Sequence, residues 1–264
     1  MASNLWTDLE ALQRLARTER AARVPGGRLP RPDSPIRDPF PAFPSRPGME
    51  LHALDLTERL ASGDYGDFFF LSDTTLALVL ADVSGKGVPA AVLRGVTRSV
   101  IRFLAPSTHS PGETLARANR ILCGARLGSM FVTLYLGWYE VSSGKLSYAN
   151  AGHPVPYRLS PDGKVATMGE VTGPILGILE EREYATRECR LEIGDRLVLL
   201  TDGITEARNP QGDFFGGPHL AGALASHGAL GLADFCAALA TRVRAFQGGR
   251  PQDDATILAL RRTA

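Results

Sequence analysis

Six aspartates stand beside apolar, strand-like runs: Asp64 and Asp67 in SGDYGDFF, Asp82 closing LALVLAD, Asp202 closing RLVLLTD, and Asp253 with Asp254 opening DDATILAL. A carboxylate at the end of a buried strand is expensive to desolvate unless something compensates it. Taken singly, an aspartate beside a glycine reads as a turn or cap residue. Taken together, converging strand ends would bring several carboxylates within repelling distance, which a fold tolerates when a cation lies among them. The set has no cysteine or histidine partner of the kind zinc takes. The expected ion is therefore hard and oxygen-liganded, Mg2+ or Mn2+.

The elements that must position these acids can be read from periodicity. FFFLSDTTLALVLADV reads as two strands about a Ser-Asp turn, and Pro89 suits the first turn of a helix running to about Leu104. Ser110-Pro-Gly-Glu113 is a capping-box pattern that opens a second helix to about Arg126. MFVTLYLGWYEVSSGKLSYANAG reads as a hairpin with Ser-Ser-Gly-Lys at its turn. RLVLL is a strand, HLAGALASHG and LADFCAALATRVRAF are helices, and ATILAL is a closing strand. Two helices between strand groups and two more before the last strand predict sheets with helices on their outer faces.

Upstream, Leu5, Leu9, Leu12 and Leu15 or Ala16 share one helical face, with Thr7 and Glu10 in a capping-box pattern. This predicts a short amphipathic helix within residues 1–24. Residues 25–47 hold eight of the 18 prolines and form a semi-extended linker or wrap. Residues 48–264 are the expected globular domain.

Composition narrows the function classes. Lys and Arg total 29 against 28 Asp and Glu, so no global field draws in nucleic acid or an anionic membrane. No window approaches a membrane-spanning run, and Cys123, Cys189 and Cys236 are too far apart in sequence for a Cys-x-x-Cys motif. The expectation is a soluble cytoplasmic protein in a reducing compartment.

SGDYGDFF, ADVSGKGVPAA, MFVTLYLG, YANAGHPVPY, LLTDGITEARN, FG and DDATILAL occur in the order found in metal-dependent protein phosphatases of the PPM class. The chain resembles the bacterial SpoIIE-like branch of that class from about Asp55 to the C-terminus. The resemblance implies an α+β fold, a four-layer α-β-β-α sandwich holding two Mn2+ or Mg2+ ions at one edge. Carried across by residue, it implies that Asp82 bridges both ions, that the Val83 carbonyl contacts one, and that Asp64, Asp202 and Asp253 complete the shells. It further implies a water, activated between ions roughly 3.5–4 Å apart, that attacks the phosphorus of phosphoserine or phosphothreonine in line. The implied substrate is a phosphorylated STAS-type anti-sigma-factor antagonist in a partner-switching circuit. Two other readings stand beside it: a catalytically silent partner-binding regulator of the same fold, and a metallohydrolase of small phosphomonoesters.

The sequence also departs from the family pattern. Ser62 replaces a glycine and Gly66 a bulky residue around Asp64, and Ser84 stands where eukaryotic members carry a histidine. His153 reads as a catalytic acid or as a turn residue ordering its loop. Lys86 reads as a phosphate contact or as a solvated side chain. Asp67 reads as a site acid or an Asx-turn residue, and Asp254 as a solvated group or one that meets the site through water. Thr201 and Thr205 read as supports of the Asp202 turn. The Leu5–Leu15 face is expected to dock on its own core, on a sensor or activator protein, or on a second copy in a homodimer, since an isolated helix this short is marginal in water.

Overall fold

The computed structural model describes Phe40 and residues 46–56, 62–85, 87–125 and 129–264. The helix expected within 1–24, nearly all of the 25–47 linker, and Lys86 lie outside the described residues.

Among the described residues ten strands make two antiparallel five-stranded sheets. One has the order β1 (Met49–Asp55), β10 (Thr256–Arg262), β9 (Arg196–Leu200), β6 (Tyr157–Leu159), β7 (Val165–Thr167). The other has the order β2 (Tyr65–Phe70), β3 (Thr75–Val83), β4 (Val132–Glu140), β5 (Lys145–Ala151), β8 (Arg187–Arg190). The helices are α1 (Val88–Leu104), α2 (Pro111–Gly124), the single turn α3 (Asp202–Thr205), α4 (Pro218–Ser226) and α5 (Leu232–Phe246).

Side-chain alternation along the central strands builds four layers. In β3, Leu76, Leu78 and Leu80 enter the core between the sheets with Leu197, Leu199, Leu258 and Leu260 from β9 and β10. The intervening Val79, Ala81 and Val83 face outward, against Leu93, Val100 and Ile101 of α1 and Leu115 of α2. On the opposite side Val198, Leu200, Ile257 and Ala259 pack against Leu220 of α4 and Phe235 and Leu239 of α5. The strands are apolar on both faces because both faces are covered.

The elements expected within the described residues form, with small shifts at their ends. Pro89 lies in the first turn of α1, and the Ser110 hydroxyl accepts the Glu113 amide proton at 3.2 Å at the start of α2. The Glu113 carboxylate accepts the His109 amide at 2.8 Å, which completes a variant of the capping box one residue upstream of the cap. α2 ends at Gly124, short of the expected Arg126. β1 and the short strands β6, β7 and β8 add to what periodicity indicates. β1 carries Met49, Leu51 and Ala53 inward and pairs along its whole length with β10.

Candidate metal centre

The acids meet because of strand direction. β2 starts where β3 ends, with Tyr65 opposite Ala81, and β10 starts where β9 ends, with Ile257 opposite Leu200. Asp64 just precedes β2, Asp82 lies at the end of β3, Asp202 follows β9, and Asp253 and Asp254 precede β10. All five therefore sit at the same end of the two sheets.

Asp64 is 4% exposed and joins the sheets. Its Oδ2 accepts hydrogen bonds from the Thr201 hydroxyl at 2.7 Å and the Thr256 hydroxyl at 3.0 Å, while Oδ1 is buried without a hydrogen-bond partner. The Thr201 hydroxyl also accepts the Thr256 amide at 2.9 Å, so both threonines are held as donors toward the carboxylate. Burial, and next the charge of Asp82, push the Asp64 carboxyl well above the ordinary carboxylate range. Asp82 is pushed up to about 6, by burial first and then by Asp202, with Asp253 and Asp254 adding to it. Asp202 rises through burial and the neighbouring Asp253. Each of these three acids is thus destabilised as an anion by burial and by another acid of the set.

An oxygen-only divalent cation suits this donor set. The Asp64 Oδ1 lacks a donor, and the mutual repulsion is of the kind a dication relieves. Among the described residues no three such side chains are already closed around a common point.

The other candidates separate clearly. Asp67 lies inside β2, 1% exposed, and forms ion pairs with Arg102 at 2.6 Å and Arg98 at 3.3 Å on α1. It therefore belongs to the β2–α1 contact, and the Asx turn weighed for it does not form. Ser62 turns a family departure into local support, since its hydroxyl accepts the Asp64 amide at 3.1 Å. Gly66 leaves room for a ring: a Cβ there would sit 2.5 Å from the Phe40 edge. Ser84 is engaged with Phe131, accepting its amide at 2.7 Å through the hydroxyl and donating its own amide to the Phe131 carbonyl at 2.9 Å. Gly85 and Gly87 have φ of 96° and 76°, the left-handed conformation that lets the chain leave Asp82 and enter α1.

His153 is 1% exposed, and burial lowers its pKa to about 3, so its ring is neutral. Its amide donates to the Asn150 side chain at 2.8 Å, the Asn150 amide group donates to its carbonyl at 2.9 Å, and Nδ1 meets the Thr133 hydroxyl at 3.0 Å. The turn reading of His153 matches this network. The roles of Thr201 and Thr256 toward Asp64 are longer in range than sequence indicates; the only signal is that each threonine belongs to an Asp-containing motif, TDG or DDAT. Cys123, Cys189 and Cys236 are free thiols, and no described helix is long and apolar enough to cross a membrane.

Two packed antiparallel sheets, helices outside and carboxylates gathered at one end of the sandwich define the fold of the PPM-type, or PP2C, phosphatases. Within that class the chain belongs to the SpoIIE family, described as Stage II sporulation protein E (SpoIIE), which matches residues 72–263. It is 28% identical over 220 residues to phosphoserine phosphatase RsbU of Bacillus subtilis, covering 83% of this chain and 65% of that one. It resembles the crystal structure of the RsbU and RsbW domains of Rv1364c from Mycobacterium tuberculosis (TM-score 0.71, 25% identity, 83% of this chain and 61% of that one). The SiaA-PP2C domain of Pseudomonas aeruginosa shares the fold (TM-score 0.71, 23% identity, 80% and 84% coverage). The chain spans less than two thirds of the length of the curated relatives it matches.

Proposed function

We propose that the chain is a Mn2+- or Mg2+-dependent protein serine/threonine phosphatase, acting on a phosphorylated STAS-type antagonist in a bacterial partner-switching pathway. The observation that carries this reading is Asp64: a buried carboxylate held on one oxygen by two hydroxyls, with the other oxygen lacking a donor and Asp82 pressing on it. Membership of the SpoIIE family and similarity to a phosphoserine phosphatase support the substrate class.

In this reading Asp64, Asp82, Asp202, Asp253 and the Val83 carbonyl hold two ions. When bound, such ions lower the pKa of a water and offset negative charge developing on the phosphoryl oxygens. The chain's own contribution is to fix the ligands. Thr201 and Thr256 orient Asp64 so that Oδ1 is left for ligation, and Ser62 fixes the backbone beneath it. Neither His153, buried and neutral, nor Ser84, bonded to the Phe131 amide, is placed to protonate a leaving serine, so that proton comes from solvent.

The test is phosphate release from a serine-phosphorylated STAS-domain protein, with and without Mn2+, for wild type and Asp82→Asn. Manganese-dependent release that the variant loses by about 1,000-fold or more supports the reading. Faster turnover of small phosphomonoesters than of the phosphoprotein would favour a small-molecule hydrolase. Mn2+ binding without any release would favour a silent regulator.

A further inference from the structure

Asp254 touches every acid-bearing segment of the site, directly or through one glycine. Its Oδ2 accepts the Gly63 amide at 3.0 Å across 191 residues of sequence, and its own amide donates to Asp253 Oδ1 at 3.1 Å. Gly203, next to Asp202, packs so closely that a Cβ there would lie 1.8 Å from the Asp254 carbonyl oxygen. Gly63 in turn lies against the Asp82 strand end. A Cβ on it would be 2.5 Å from the Val83 carbonyl oxygen and 3.1 Å from Asp82 Oδ1, and the Gly63 carbonyl accepts the Val83 amide at 3.3 Å.

We infer that Asp254 is a positioning residue: by accepting the Gly63 amide proton it registers the turn bearing Asp64 against the loop bearing Asp253, and with them the ends of β3 and β9. The inference rests on the metal-centre reading above. A second acid beside Asp253 adds to local repulsion, which a compensating contact offsets. The Gly63 bond is that contact. The bond crosses between the two sheets beside the threonine hydroxyl bonds of Asp64, and it is the one that ties the backbone of the Asp64 turn, at Gly63, to the Asp254 side chain.

The acceptor is what matters, so an amide oxygen should largely replace the carboxylate. Asp254→Asn keeps an acceptor and Asp254→Ala removes it. In calorimetric Mn2+ titrations of the full chain, we expect Asp254→Ala to bind about 10–100-fold more weakly, the range typical of lost ligand-orienting bonds, and Asp254→Asn to stay within about threefold of wild type. In metal-free protein the Gly63 amide should exchange with solvent faster in Asp254→Ala than in wild type, and remain protected in Asp254→Asn. Wild-type affinity in the alanine variant, equal weakening in both variants, or unchanged Gly63 exchange in Asp254→Ala would each overturn the inference. Wild-type protein that binds no Mn2+ would overturn the metal reading instead, and the Gly63 exchange rates, measured without metal, tell the two failures apart.

Discussion

Asp64 and Asp67 stand three residues apart around one strand, both almost fully buried, and their surroundings are opposite. Asp67 receives its cations from the chain: Arg102 binds it through two nitrogens, at 2.6 and 2.7 Å, and Arg98 adds a third contact at 3.3 Å. Among the described residues the Asp64 carboxylate receives two threonine hydroxyls on one oxygen and faces other carboxylates, while the Arg94 guanidinium reaches the Asp64 backbone carbonyl instead, at 3.5 Å. A fold that supplies two guanidiniums to one acid had the means to neutralise the other. On the proposed reading, a buried carboxylate left among acids marks where an external cation binds, whereas one bound by arginine marks a structural joint.

The largest expected effect separates the two in function. Asp64→Asn should weaken Mn2+ binding by more than about 100-fold, beyond what loss of an outer-shell contact does. Its metal-free thermal midpoint should be unchanged or higher, because a buried, repelled charge is removed. A clear fall in that midpoint would mean that Asp64 is a structural acid like Asp67, and the comparison would collapse.

Asp67→Asn should give the reverse pattern. Breaking a buried pair removes the Asp67 charge from two arginines, and because Arg98 and Arg102 are about one-third exposed the cost should be about 2–3 kcal/mol in chemical denaturation. Its Mn2+ affinity should stay near that of wild type. Strong loss of Mn2+ binding in a folded Asp67→Asn protein would place Asp67 among the site acids after all.

His153 sharpens the comparison with a third solution, a buried titratable group that stays neutral. Its folded-state pKa of about 3 lies below the ordinary histidine value of 6.5. The unfolded chain therefore binds a proton that the folded chain refuses, and this contribution to stability is present above pH 6.5 and is lost as pH falls toward 3. At pH 5 the loss is about 2 kcal/mol. Subtracting the stability of His153→Gln from that of wild type at pH 7.5 and pH 5 isolates it. A difference that does not change between the two would show that the ring gains a proton in the folded state.

Much of this arrangement is visible in the chain. β3, β9 and β10 are read from short apolar runs, and α1 and α2 from proline and serine at their starts. β1 has a visible period-2 pattern, MELHALD, but follows a proline-rich segment that obscures where the domain begins. β6, β7 and β8, with sequences YRL, VAT and RECR, are too short and mixed to carry a period and form because a neighbouring strand offers them an edge.

The sequence by itself determined the central strands and the main helices, the order of the acid-bearing motifs and hence the family, because periodicity, capping and motif order are local or linear properties. Tertiary structure alone decided which acid met which partner. Asp64 meets Thr201 and Thr256 across 137 and 192 residues, and Asp67 meets arginines on a helix that begins beyond the next strand. Such partners are chosen by sheet packing and strand direction, which bring distant strand ends together and leave no trace in the spacing of neighbouring residues.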